Sequence, residues 1–142
     1  MKVLIINGPN MNLLEKRGSL YGGLSLTELE TYTETKLESE NVSFDWFQSN
    51  HEGEIVERIQ ESISRYELLV INPAGLSHTS VVIKDALEIL DFPIIEVHMT
   101  NPLKREKFRE IMLTGTSADF IMKGFGIDVY HLCISNFLNS KK

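Results

Sequence analysis

The chain has 142 residues, 42% of them hydrophobic and 24% charged, with a formal net charge of -6. That length suits one domain, residues 1–142, which can bury a core without disulfide or metal staples. The acidic balance argues against nucleic acid or an anionic membrane as partner, since those surfaces recruit positive domains.

The chain opens on Val3-Leu-Ile-Ile6, an aliphatic run suited to a strand buried on both faces, which Asn7-Gly8-Pro9 halts. This start breaks too early for a secretory signal, and no apolar run reaches membrane-span length, so a cytoplasmic protein is expected. The loop from Asn7 to Gly22 gathers Asn7, Asn10, Asn12, Arg17 and Tyr21 at that strand's carboxyl end. Ser25-Leu-Thr-Glu28 has capping-box spacing, placing a helix over 25–40. Val42 to Gln48 alternates aromatic and polar residues as a second strand. Ile55, Ile59 and Ile63 mark an amphipathic helix over 53–65.

Leu68 to Ile71 is a third buried strand, and like the first it ends at asparagine and proline, Asn72-Pro73. After the small-residue turn Ala74 to Ser80, residues 81–90 have helical spacing and carry Asp85 on the polar side. Pro93 to Val97 is the fourth strand, running into Glu96, His98, Thr100 and Asn101. Lys104 to Met112 reads as a short charged helix with Arg105 and Arg109 on one face. A weak fifth strand over 120–122, a closing helix over 127–138 and a frayed tail from Asn139 complete the chain. The lone cysteine, Cys133, sits in an apolar setting and reads as a buried small hydrophobe. Alternation of strands and helices predicts an α/β protein, a flavodoxin-like three-layer sandwich with a five-stranded parallel sheet of order 2-1-3-4-5.

In that order the ends of strands 1, 3 and 4 converge on one crevice, the usual ligand site of such sheets. The loop asparagines, Asn72, His78, His98 and the two arginines would face it. No Gly-x-Gly-x-x-Gly follows the first strand and no P-loop is present, so neither a dinucleotide nor a P-loop nucleotide site is indicated. A phospho-receiver needs acidic residues where this chain has Asn7-Gly-Pro-Asn10 and Asn72. His51-Glu-Gly-Glu54 is the only crowded metal candidate, and glutamates at a helix start explain it as well. No cofactor and no metal are expected.

The same residues suggest a chemistry. A tyrosine serves as general base only as phenolate, and ionising an ordinary one at pH 7 costs about 4 kcal/mol, much of which a close arginine can supply. Arg17 and Tyr21 share one loop. Glu96 and His98, two apart on a strand, share a face, so the carboxylate can orient an imidazole acting as general acid. Neutral amides at Asn10, Asn12 and Asn72 suit a developing enolate or its bridging water. The set points to proton abstraction beside a carbonyl of a small hydroxylated carboxylate. Plainer roles stand beside these: His78 as a helix cap, Arg105 and Arg109 as a solvated face with Glu106 and Glu110, His51 as a turn residue, His131 on a helix surface, and Tyr32, Tyr66 and Tyr130 in packing.

Asn7-Gly-Pro-Asn-Met-Asn-Leu-Leu14, Arg17 with Tyr21-Gly22, Phe47 to Glu54, Asn72-Pro73 with Ser77-His-Thr-Ser80, and Glu96-Val-His-Met-Thr-Asn101 with Arg105 and Arg109 resemble type II 3-dehydroquinate dehydratase over nearly the whole chain. The resemblance implies a dodecamer built from trimers that needs no metal or cofactor and removes water from 3-dehydroquinate by anti elimination through an enolate, in the shikimate pathway. It implies Tyr21 as the base, Arg17 as its activator, and His98 held by Glu96 as the acid. Asn10 would position the enolate's water, and Asn72 with the Met99 and Thr100 amides would hold the substrate carboxylate. His78 and Arg109 would bind ring hydroxyls, and Asp85 would reach a neighbouring subunit's site. Family members usually read Arg-Glu/Asp-Pro-x-x-Tyr-Gly, so Arg17-Gly-Ser-Leu-Tyr21 is one residue short and lacks the proline. That departure leaves a second reading, a non-catalytic paralogue binding a related polyol carboxylate.

Overall fold

Hydrophobic strands separated by amphipathic helices can bury their side chains only by stacking, and the computed structural model shows the result over residues 1–141, with Leu20 described by its backbone alone. The elements are β1 (Lys2–Asn7), α1 (Leu26–Lys36), β2 (Ser43–Gln48), α2 (Glu52–Glu61), β3 (Leu68–Asn72), α3 (Val81–Leu87), β4 (Ile94–His98), β5 (Phe120–Lys123) and α4 (Val129–Ser140). All strand pairings are parallel and the order is β2-β1-β3-β4-β5, the flavodoxin-like arrangement. Alternation along β1 sends Val3 and Ile5 to one core, with Leu29, Tyr130 and Ile134, and Leu4 and Ile6 to the other, with Ile55, Ile59 and Ile83. Each fully buried side chain of this size contributes about 1.5–3 kcal/mol relative to exposure.

Local signals account for the starts of two of the four α-helices. Ser25 and Glu28 form the predicted capping box, each accepting from the other's backbone amide. Ser80 accepts from the Ile83 amide and caps α3, so His78 is not the cap. The second helix is shorter than its isoleucine spacing predicts: it ends at Glu61, Ser64 turns left-handed, and Ile63 is exposed. At the other end of the chain α4 runs through Asn139 to Ser140, so those two positions are helical, not frayed.

The charged helix predicted over 104–112 does not form. Pro102–Lys104 and Lys107–Glu110 are separate 3-10 turns, and Arg105 between them is extended. The Asn101 side chain accepts from the Leu103 amide and starts the first turn; Arg105 leaves it to reach across the crevice, as described below. Among the described residues no helix is long and apolar enough to cross a membrane.

The switch point between β1 and β3 is built tightly. Asn7 and Asn72 are register partners, and the Gly8 amide donates to the Asn72 carbonyl at 2.8 Å. A Cβ on Gly8 would lie 2.6 Å from the Pro73 carbonyl oxygen, so only glycine lets these two strand ends approach.

Candidate active site

At the end of β4, Glu96 is fully buried and His98 is 6% exposed. Buried carboxylates require partners, and this one has three: His98 Nε2 at 2.7 Å, the Ser77 hydroxyl at 2.7 Å and the Thr114 hydroxyl at 2.6 Å. The histidine lines the crevice, and Nδ1 is the ring nitrogen that Glu96 does not engage. Thr114 had no signal in the sequence, because Thr114 to Ser117 is a short 3-10 turn without periodicity.

Across the crevice, Tyr21 is 7% exposed and enters on a turn between Gly18 and Gly22, both with positive φ. The Arg17 guanidinium lies 4.1 Å above its ring centroid, so the one-residue-shorter spacing keeps arginine and tyrosine together. Nothing here favours the non-catalytic alternative. The hydroxyl itself is met by a different cation, since Arg105 Nη1 donates to it at 3.2 Å. Arg105 thus lines the crevice while staying exposed and paired with Glu106 at 3.7 Å, and Arg109 pairs with the same carboxylate at 2.6 Å, so the expected charged face is present but the arginine half of it serves the crevice. Arg109 and then Arg105 hold the Glu106 carboxyl below its ordinary range.

The floor is a relay of neutral groups. Asn72 Nδ2 donates to the Tyr130 hydroxyl at 2.9 Å, and that hydroxyl donates to Asn7 Oδ1 at 2.6 Å. Tyr130 is fully buried, and burial pushes its phenol well above the usual tyrosine range. Its packing role was legible; its polar link to the site was not, because a phenol in an apolar helix pattern does not announce its partner. Two other packing readings need the same correction, with Tyr32 donating to Asp128 at 2.6 Å and Tyr66 to Asp45 at 2.6 Å. His131 is half-buried and joins Asp128 at 2.9 Å.

His78 Nδ1 lies 2.7 Å from the Ile111 carbonyl. A carbonyl only accepts, so Nδ1 carries a proton and Nε2 of the neutral ring remains an acceptor. Its ring stacks toward that of His98, with centroids 6.4 Å apart.

Of the residues predicted for the site, Arg17, Tyr21, Asn72, His78, His98, Met99, Thr100 and Arg109 line this crevice together. Glu96 stands directly behind His98. Asn10 is exposed in a left-handed turn with its amide on Asn50, Asn7 is turned into the core, and neither lines the crevice, nor does Asn12. Asp85 is exposed on α3, away from the crevice of its own chain. Arg105 is the lining cation that the sequence reading underweighted. Among the described residues no group of three histidine, cysteine or acidic side chains is arranged to hold a metal ion.

The model of the family described as dehydroquinase class II matches residues 1–138. The chain is 43% identical to the 3-dehydroquinate dehydratase of Aliarcobacter butzleri, over 93% of this chain and 81% of that protein. It is 40% identical to the enzyme of that name from Clostridium botulinum, over 97% and 95%. The crystal structure of type II dehydroquinase from Butyrivibrio crossotus superposes with a TM-score of 0.92 at 37% identity, covering 98% of this chain and 97% of that one.

Proposed function

This chain belongs to the class II dehydroquinase family, and we infer from that membership that it eliminates water from 3-dehydroquinate to give 3-dehydroshikimate, as a hydro-lyase of the shikimate pathway. The observation that carries the reading is the pairing, across one crevice, of a phenol held by a guanidinium with an imidazole held by a buried carboxylate.

The residues divide the work as follows. The Tyr21 phenolate takes the C2 proton, and the guanidinium of Arg105 at its oxygen stabilises the negative charge before that proton arrives. Arg17, stacked on the ring, fixes the ring plane and adds positive potential. The resulting enolate carries its charge on the former carbonyl oxygen. Asn10, whose side chain is exposed and outside the crevice, holds the enolate's bridging water only once it turns inward. Collapse of the enolate expels the C1 hydroxyl, which takes a proton from His98 and leaves as water. Glu96 compensates the imidazolium charge and holds the ring. After one turnover the proton sits on Tyr21 and His98 is neutral, so moving one proton from phenol to imidazole resets the site.

Asn72 and the backbone amides of Met99 and Thr100 hold the substrate carboxylate. His78 Nε2 accepts from a ring hydroxyl and Arg109 binds another. Assembly into a dodecamer built from trimers brings Asp85 to a neighbouring crevice; Val81 and Val82, exposed beside it on α3, support burial of that helix between subunits. A cytoplasmic setting accords with an acidic chain that has a single cysteine. Incubating the purified protein with 3-dehydroquinate and following the ultraviolet absorbance of the conjugated product tests the activity. A folded protein that leaves the substrate unchanged overturns it.

A further inference from the structure

Among buried polar groups that the reaction does not use, the Tyr130 hydroxyl stands out, because it connects the crevice floor to the core. It has one proton, and that proton goes to Asn7 Oδ1 at 2.6 Å. Toward Asn72 the oxygen can therefore only accept, and it does so from Nδ2 at 2.9 Å. This fixes which end of the Asn72 amide is nitrogen. Oδ1 is turned to the Ala74 amide at 3.2 Å, and the second Nδ2 hydrogen is opposed only by the Met11 thioether at 3.8 Å, a weak acceptor. Both Asn72 and Met11 line the crevice. Asn7 is fully buried, and its Nδ2 has no protein partner among the described residues.

We propose that Tyr130 is a positioning residue for substrate: through the relay Asn7–Tyr130–Asn72 it locks the Asn72 amide with an N–H donor toward the bound carboxylate. The proposal rests on the dehydratase reading for the identity of that carboxylate. The lock works in one direction only. A phenol with its proton committed rejects an oxygen from Asn72, since two acceptors would then face each other across a buried contact. High burial keeps the phenol protonated, so the relay does not reverse with pH in the working range.

The experiment compares Tyr130→Phe, Asn72→Ala and the double variant, with Cys133→Ala as a control in the same core, where the thiol donates to the Tyr130 carbonyl and not to its hydroxyl. Tyr130→Phe is expected to raise KM for 3-dehydroquinate about tenfold with kcat nearly kept, the signature of lost uniform binding worth about one hydrogen bond. Adding it to Asn72→Ala is expected to change KM no further, because Tyr130 acts through that amide. Cys133→Ala is expected to lower Tm and leave KM alone. Should Tyr130→Phe fail to fold, Asn7→Ala serves in its place: the freed hydroxyl proton can turn on Asn72, and the same KM rise is expected. Additive effects in the double variant, or a drop in kcat at unchanged KM, overturn the proposal. If the parent protein shows no turnover the dehydratase reading falls by itself, and calorimetric Kd values for 3-dehydroquinate on the same variants still decide whether the relay tunes binding.

Discussion

The Arg105 guanidinium donates to the Tyr21 hydroxyl at 3.2 Å, while Arg17 lies 4.1 Å over the same ring, so one phenol is held by two cations in different geometries. Only the first touches the atom on which charge resides in the phenolate. The two arginines are therefore not interchangeable. Arg105→Ala is expected to lower kcat by about 10²–10³, the scale for removing one preorganised donor from a developing or standing charge. Arg105→Lys recovers part of the charge but not the fork geometry. Steady-state rates on both variants check this; a silent Arg105→Ala beside a crippled Arg17→Ala would return the activating role to Arg17.

Tyr21→Phe removes the base and leaves the ring under Arg17. Loss of about 10²–10⁴ in kcat is expected, with ligand affinity changed only a few-fold. Turnover assays paired with calorimetric binding test both halves. Substantial residual turnover would show that another group takes the proton.

Glu96→Gln keeps the shape of the buried side chain but removes the charge opposite the imidazolium. Turnover is expected to fall about 10²-fold or more with the fold retained. Thr114→Val leaves one carboxylate oxygen without its hydroxyl donor and is expected to cost about 1–3 kcal/mol of stability. Melting curves and rates measured together separate the two effects.

Acid stability reports on a cluster that does not line the crevice. The Asp128 carboxyl is held below its ordinary range chiefly by the Tyr32 hydroxyl and then by His131. A depressed carboxyl stabilises the fold above its unfolded value, near pH 4, and that contribution is lost as pH falls through the folded value. Asp128 is largely solvated, so the contribution is below about 1 kcal/mol. Tyr32→Phe is expected to lower Tm slightly at pH 6 and to lose less than the parent between pH 6 and pH 3. Parallel melting curves across that range test it.

Much of this site could be read without coordinates. Period-two alternation puts Glu96 and His98 on one face, and the matching Asn-Gly-Pro and Asn-Pro stops announce two neighbouring strand ends. The loop gave Arg17 and Tyr21 by proximity. Arg105 was obscured because helical spacing paired it with Arg109 on one face, whereas an extended residue between two turns sends it elsewhere. Thr114 and Tyr130 were hidden for a more general reason. Their roles depend on long-range partners, 18 and 123 residues away for their bonds to Glu96 and Asn7, and no local pattern encodes such contacts.

The two aromatic side chains that line this crevice, His98 and Tyr21, differ in tenure. His98 issues from a central strand and is braced from behind, whereas Tyr21 arrives on a short turn pivoted at Gly18 and Gly22. The tyrosine's side of the crevice is therefore the one whose backbone has pivots, and the histidine's side is its fixed anvil. A ligand that wedges beneath this turn would meet a backbone with glycine pivots at both ends, whereas one aimed at the opposite wall meets a braced strand.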